Sequence, residues 1–294
     1  MGTASEIKQG SRSEKLPQIG HNSSNLQFVG HTPVDVETEP MKPVSRRALI
    51  TSSGRAAIAA IGLPLLAEGI PQTAASRRLK VIVAGAHPDD PESSAGGTMA
   101  RYADLGHEVV ALYLTRGEAG IPGKSHAETA RIRTAEAEKA CAILKARALF
   151  AGQIDGASEV TNATYQQFAD LLAAEKPDIV YVPWPVDSHR DHRATSLLVY
   201  DAWLKMNKGF ELYYTEVMSG IQTQTFRPTR LVDITTTEAR KRQACYAHAS
   251  QEPKEFYGVH ELMNRFRGSE LGVTSAEAFV RHNQDRPESL PMVP

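Results

Sequence analysis

The sequence lacks the features of several common protein classes. Its only two cysteines, Cys141 and Cys245, lie far apart and form no CxxC pattern, so neither a disulfide framework nor a cysteine-ligated zinc site is expected. The 33 lysines and arginines are balanced by 34 aspartates and glutamates, and no basic block occurs. Because a phosphate backbone requires a concentrated positive surface, nucleic acid is not an expected partner. No apolar run reaches the ~20 residues of a membrane-spanning helix.

The first 75 residues do not have the pattern of a folded domain. Residues 1–40 are polar and aperiodic, which predicts a disordered extension. If Met41 is the true start codon, this extension is not translated at all. Residues 41–75 combine a basic start, the pair Arg46 and Arg47, and a short apolar run from 56 to 67. The segment "SRRALI" resembles a twin-arginine export signal, and we prefer this interpretation to an amphipathic surface helix. We therefore expect recognition by the twin-arginine export machinery and an exported protein, periplasmic or extracellular.

From Leu79 onward, strand and helix patterns alternate. The runs "KVIVAGA", "HEVVALYLT", "ALFAG" and "DIVYVPWP" are typical of buried strands, and helical patterns separate them. The helix after the first strand is expected at "GGTMARYADLG", and the helix after "DIVYVPWP" at "TSLLVYDAWLKM". Repeated strand–helix units predict an α/β domain over residues 76–294, with a mostly parallel sheet and helices on both faces.

Ionisable residues are concentrated directly after two of these strands. "AHPDDPE", with His87, Asp89, Asp90 and Glu92, follows the first strand, and "DSHRDHR", residues 187–193, follows "DIVYVPWP". Each cluster alone has an ordinary explanation, a helix N-cap for the first and a solvated helix start for the second. Reactive groups of open parallel sheets gather at the carboxyl ends of the strands, however. The two clusters are therefore expected to converge.

Together the clusters have the composition of a metal site. A catalytic zinc site typically uses three His, Asp, Glu or Cys ligands and leaves one position for water. The available ligands are His87, Asp90, His189, Asp191 and His192. A dinucleotide-binding loop is excluded, because His87 stands where GxGxxG requires its second glycine.

Several of these motifs occur together in one known family. "AHPDDPESSAGGTMARYADLGHEV", "LTRGEAG", "HRDH", "AHASQ" and "RGSELGVTSAEAF" resemble the LmbE-like (PIG-L) family of zinc-dependent N-acetylglucosaminyl deacetylases. The resemblance extends from about Leu79 to Phe279. It implies a Rossmann-like α/β fold, in agreement with the strand pattern.

The resemblance also implies a role for each residue of the two clusters. Zn²⁺ would be held by His87, Asp90 and His192. Asp89 would be the general base that takes a proton from the attacking water and returns it to the leaving amine. His189 would stabilise the oxyanion, and Asp191 would orient an imidazole and favour the charged form of His189.

Substrate contacts are implied for three further residues. Arg116 of "LTRGEAG" resembles a substrate-binding arginine, although a solvated loop arginine remains possible. His248 of "AHASQ" matches a family motif but could also serve only to pack the last helix. Many family members read "AHPDDE", whereas Pro91 intervenes in this chain and moves the glutamate to Glu92.

These observations favour a Zn²⁺-dependent hydrolase that removes the N-acetyl group from an N-acetylglucosamine-type sugar or conjugate. The expected partner is therefore a small N-acyl amino sugar. Two alternatives stay open: an amidase that cleaves a larger acyl group from a glucosamine conjugate, and a carbohydrate-binding relative that has no catalytic activity.

Overall fold

The structure is a computed structural model that describes residues 77–282. The predicted extension (1–40) and signal peptide (41–75) lie outside these residues. Within residues 77–282, no helix has the length and apolar character needed to cross a membrane.

In the described part of the chain, seven strands form one sheet in the order β3-β2-β1-β4-β5-β7-β6. The strands are β1 (Lys80–Gly85), β2 (Glu108–Thr115), β3 (Arg147–Gln153), β4 (Ile179–Pro183), β5 (Glu211–Thr215), β6 (Arg230–Asp233) and β7 (Ala276–Arg281). Strands β1 to β5 pair in parallel, whereas β7 is antiparallel to both β5 and β6. The predicted mostly parallel α/β sheet is confirmed.

Helices cover both faces of the sheet. They are α1 (Asp90–Asp104), α2 (His126–Leu144), α3 (Asn162–Glu175), α4 (Arg190–Lys205), α5 (Glu238–Tyr246) and α6 (Pro253–Leu271). One core lies under α1, α2 and α5 and includes Met99 and Cys141. The opposite core lies under α3 and α4 and includes Leu172 and Trp203. The sheet is therefore buried on both sides, as its continuous apolar runs indicated.

Two helices begin earlier than their sequence patterns predicted. Helix α1 begins at Asp90 rather than Gly96, and it contains a break at Ala95, where φ is −143°. The carboxylate of Glu277 on β7 accepts the backbone N–H groups of Gly97 (2.9 Å) and Thr98 (2.8 Å) just after this break. The predicted start at Gly96 thus corresponds to the second half of α1. Helix α4 begins at Arg190, so "HRDH" forms its first turn.

The strand order explains why the two ionisable clusters meet. From β1 the chain moves outward through β2 to β3, and from β4 it moves in the other direction to β5. A crevice forms at the carboxyl ends of neighbouring strands where the order reverses, here between β1 and β4. The two clusters follow β1 and β4, so they flank this crevice.

Candidate functional site

The loop after β1 folds back so that the Asp90 carboxylate lies under the backbone of His87. Asp90 Oδ2 accepts the N–H groups of Ala86 and His87, both at 2.8 Å. A Cβ on Gly85 would lie 2.5 Å from Asp90 Cβ, so this close approach requires glycine. The same fold leaves His87 Nδ1 3.4 Å from Asp90 Oδ2.

The first turn of α4 brings His192 to the same carboxylate. His192 Nε2 lies 3.2 Å from Asp90 Oδ2, so the three predicted metal ligands are together. The ring of His189 is also close, with its centroid 4.6 Å from that of His87 and 5.1 Å from that of His192. One nitrogen of each histidine lies within 4.8 Å of the others. Two imidazoles and a carboxylate are donors that suit Zn²⁺.

A second possible ligand group shares one of these histidines. It consists of His87, Asp155 and Asp191. His87 Nε2 lies 3.2 Å from Asp155 Oδ1 and 3.4 Å from Asp191 Oδ2. Since Nδ1 of the same ring faces Asp90, the two carboxylates fix the His87 ring from the opposite side.

The carboxylates favour positive charge at this point of the structure. Burial alone would lower the pKa of His192, yet Asp90 and Asp187 raise it to about 9. Burial also opposes the charged form of His87, but Asp155, Asp191 and Asp90 raise its pKa well above the usual value. Although burial would raise the pKa of Asp90, the two imidazoles hold it well below its ordinary range. The negative charge of these carboxylates therefore favours a cation beside the histidines.

Asp89 is held in an unusual backbone conformation beside the ligands. Its φ is 119°, in the left-handed region that a residue with a Cβ seldom adopts. Asp89 precedes the first residue of α1, but its side chain makes no capping hydrogen bond. Asp89 Oδ2 instead accepts from Arg133 Nη2 at 3.0 Å, and the Pro88 carbonyl oxygen accepts from the same nitrogen at 2.6 Å. Burial raises the pKa of Asp89 to about 6, even though Arg133 lowers it.

Arg133 is a central residue that sequence reasoning missed. It lies on α2, is only 3% exposed, and packs against the "RGEAG" loop. A Cβ on Gly117 or Gly120 would lie 2.2 or 2.4 Å from Arg133 Nη1, so both glycines make room for the guanidinium. An arginine in a regular helical pattern gives no local signal of such a role.

The site opens into a cavity of about 370 Å³. Its lining residues are His87, Asp89, Ala119, Gly120, Arg133, Asp155, His189 and Gln251. His87, Asp89 and His189 therefore face a small space with polar walls.

The structure shows the hydrogen-bond partners of His189 and Asp191. His189 Nδ1 accepts the backbone N–H of Asp191 at 3.3 Å and so caps α4. The Asp191 carboxylate contacts the His87 ring and accepts the N–H of Gly156 at 2.8 Å. Burial and the charges of His87 and His192 lower the pKa of His189. Asp191 thus orients an imidazole, that of His87, and its charge favours the protonated form of His189, although burial and the two neighbouring rings outweigh this effect on the pKa of His189.

None of the three predicted substrate-binding residues lines this cavity. Arg116 is exposed in a separate cleft against α2, with its guanidinium carbon 5.4 Å from the Phe150 ring centroid. Glu92 and His248 are fully buried. Glu92 Oε1 accepts from the Tyr113 hydroxyl at 2.5 Å and lies 3.3 Å from His248 Nε2. Glu92 is two residues after Asp90 on α1, so its side chain points to nearly the opposite side of the helix. It therefore points into the protein core and not towards the cavity.

Asp155 and Asp187 were also missed as partners of the ligands. Asp155 stands in a loop after β3 with no motif around it. Asp187 begins the "DSHRDHR" cluster, but no role was assigned to it. Its Oδ2 lies 3.1 Å from His192 Nδ1.

Comparisons with known proteins bear on the family of the chain. The family model of GlcNAc-PI de-N-acetylase (PIG-L) matches residues 82–203. A diacetylchitobiose deacetylase of Thermococcus kodakarensis is 28% identical over 199 residues, which cover 62% of this chain and 73% of that protein.

Two solved structures show the same fold. N,N'-diacetylchitobiose deacetylase from Pyrococcus horikoshii superposes with a TM-score of 0.62 and 25% identity, covering 69% of this chain and 83% of that one. A conserved protein of Thermus thermophilus has a TM-score of 0.62 and 30% identity, covering 74% of this chain and 98% of that one. The chain therefore belongs to the PIG-L (LmbE-like) family of deacetylases, enzymes that hydrolyse the carbon–nitrogen bond of an amide.

Proposed function

We propose that the protein is a Zn²⁺-dependent deacetylase that removes the acetyl group from an N-acetylated amino sugar or a conjugate of one. One observation carries this proposal: Asp90 Oδ2 lies between His87 Nδ1 and His192 Nε2, with Asp89 beside them at the wall of a polar cavity. The relatives named as deacetylases of diacetylchitobiose support the substrate class.

His87, Asp90 and His192 would hold the metal ion. When bound, Zn²⁺ in such a site polarises the amide carbonyl and makes water a better nucleophile near neutral pH. The donor set of two imidazoles and one carboxylate, all three buried, fits this ion.

Asp89 is the general base of this proposal. With a pKa of about 6, its carboxylate is largely ionised at neutral pH and can take a proton from the attacking water. The carbonyl carbon gains an oxygen, and the carbon–nitrogen bond then breaks. Asp89 returns its proton to the leaving nitrogen, so that acetate and a free amine are released. Arg133 holds the carboxylate through Oδ2 and leaves Oδ1 for this transfer.

His189 is suited to stabilise the carbonyl oxygen as it becomes negative. Its Nδ1 accepts a backbone N–H, so the proton of the neutral ring is carried by Nε2. Nε2–H can then donate a hydrogen bond to the developing oxyanion. This role requires no positive charge on His189.

The polar walls of the cavity suit a sugar with a small acyl group better than one with a long apolar acyl chain. Arg133, Asp155 and Gln251 offer donors and acceptors that match sugar hydroxyl groups. The alternative of a carbohydrate-binding protein without catalytic activity is disfavoured, because the three proposed metal ligands lie together with Asp89 and His189.

We also propose that the protein is exported. Support comes only from residues 41–75, with their twin-arginine pattern and apolar run. N-terminal sequencing of the mature protein should find cleavage near Ala75. A mature protein that retains residues 41–75 would contradict export by this route.

The function is tested by metal content and amine release on the same samples. The full chain, His192→Ala and the control His126→Ala, an exposed histidine on α2, would be incubated with N-acetylglucosamine and diacetylchitobiose. We expect one zinc and amine release in the wild type and the control, and neither in His192→Ala. Zinc binding without amine release would favour the amidase of larger acyl groups, and no zinc in any sample would favour the binding protein.

A further inference from the structure

Asp187 is a buried carboxylate that the proposed reaction does not use. Its side chain is fully buried and joins the two histidines of "HRDH". Asp187 Oδ2 lies 3.1 Å from His192 Nδ1, and Oδ1 accepts the backbone N–H of His189 at 2.7 Å. One carboxylate therefore contacts both the ring of a metal ligand and the backbone of the oxyanion residue.

The contact with His192 determines which nitrogen of its ring is free. A carboxylate only accepts hydrogen bonds, so its contact with Nδ1 favours the tautomer of the neutral ring that carries the proton on Nδ1. Nε2 then keeps its lone pair, and Nε2 is the atom that faces Asp90 at 3.2 Å. We propose that Asp187 is a positioning residue that fixes the tautomer and orientation of His192 as a metal ligand. This inference rests on the metal site of the proposed function.

A second segment of the chain holds Asp187 in place. Residues 186–188 pair with residues 222–224: the N–H of Gln224 donates to the Val186 carbonyl at 2.9 Å, and that of Ser188 to the Gln222 carbonyl at 3.1 Å. The Gln222 side-chain nitrogen donates to Asp187 Oδ1 at 3.1 Å and also lies 3.0 Å from His192 Nδ1. Because this nitrogen only donates, it competes with the ring N–H there, and the ionised carboxylate is the stronger hydrogen-bond partner of Nδ1. Gln222 thus restrains the same carboxylate oxygen, Oδ1, that accepts the backbone N–H of His189.

The segment with Gln222 is itself anchored to α6. Glu216 accepts two hydrogen bonds from Arg267, both at 2.7 Å, and both residues are buried. The Thr223 hydroxyl accepts the N–H of Val217 at 2.8 Å and donates to its carbonyl oxygen at 2.9 Å. The loop between β5 and β6 therefore supports a ligand on α4 through Asp187.

The test is Zn²⁺ affinity, measured on metal-free protein by competition with a chelating dye. The variants are Asp187→Ala, Asp187→Asn and Gln222→Leu. The controls are Asp170→Ala, an exposed carboxylate on α3, and Gln224→Leu, in the same loop. We expect Asp187→Ala to bind Zn²⁺ roughly 10–100-fold more weakly, as loss of such a partner typically does. Asp187→Asn keeps an acceptor oxygen, so its Zn²⁺ affinity should fall less, and the affinity of Gln222→Leu should also fall less. The two controls should bind Zn²⁺ as tightly as the wild type does.

Two further measurements separate positioning from stability. The absorption spectrum of the Co²⁺ form reports the ligand geometry and should change in Asp187→Ala and Gln222→Leu. Thermal unfolding of the metal-free proteins should leave Gln222→Leu close to the wild type, since Gln222 is only partly buried. If Asp187→Ala and Gln222→Leu both keep the wild-type Zn²⁺ affinity and Co²⁺ spectrum, the inference about Asp187 is wrong, while the proposed metal site stands. A wild-type protein that binds no Zn²⁺ would overturn the proposed metal site and the inference with it.

Discussion

Replacing Arg133 with glutamine should move the acid limb of the pH–rate profile to higher pH. Asp89 acts as a base only when ionised, so the rate falls as the pH drops through its pKa, which is about 6. Arg133 stabilises the ionised form from 3.0 Å. Without this cation the neutral form is favoured, the pKa of Asp89 rises, and a higher pH is needed for activity.

The size of the shift follows from the geometry. At 3.0 Å and an effective dielectric constant of about 20, the attraction between unit charges is about 5.5 kcal/mol. The Asp89 side chain is 20% exposed, and solvent and rearrangement reduce this upper bound. An arginine beside an aspartate typically lowers its pKa by about 1–3 units. The acid limb of Arg133→Gln is therefore expected about 1–3 pH units above that of the wild type.

The assay is kcat/KM for amine release, measured from about pH 5 to about pH 9. Arg131→Gln is the matched control, because Arg131 is an exposed arginine on the same helix. Its acid limb should coincide with that of the wild type. A uniform loss of kcat/KM in Arg133→Gln, with the limb unmoved, would refute the reasoning. Arg133 would then act on the substrate and not through Asp89.

Two further predictions concern stability. Glu277→Gln should lower the free energy of unfolding by about 3–5 kcal/mol, because Glu277 forms a buried ion pair with Lys241 at 2.7 Å. A urea unfolding curve within about 1 kcal/mol of the wild type would contradict this. Burial lowers the pKa of His260 to about 3, so the unfolded chain binds the extra proton between about pH 6.5 and pH 3. Stability should fall as the pH drops through that window, by up to ~1.4 kcal/mol per unit, and His260→Leu should remove this part of the slope.

The strands and both ionisable clusters could be predicted because their signals are local. An apolar run such as "DIVYVPWP" and the residues that follow it are adjacent in the sequence, and parallel topology brings the clusters to one edge. The sequence patterns of helix α6 and strand β7 are weaker than those of the parallel strands. Strand β7 buries Glu277 and Arg281 along with its apolar residues, so its pattern is not that of an ordinary buried strand.

The parts of the site that were missed depend on contacts between distant segments. Arg133 approaches Asp89 across 44 positions, and Gln222 approaches Asp187 across 35. Motif matching brought Glu92 and His248 close to the site, but it could not tell whether their side chains face the cavity or the core. Burial, which only the packed structure reveals, removes both from the cavity wall.

The pairing of charges explains how five aspartates can lie so close together. Asp89 is matched by Arg133, Asp187 by His192, and both Asp155 and Asp191 by His87. Asp90 differs from these four, because it lies between His87 and His192 and also accepts two backbone N–H groups. Each of the two rings that face Asp90 is held from its far side by at least one other carboxylate. Both rings therefore direct a nitrogen to one point beside Asp90, which is the arrangement that a single bound cation requires.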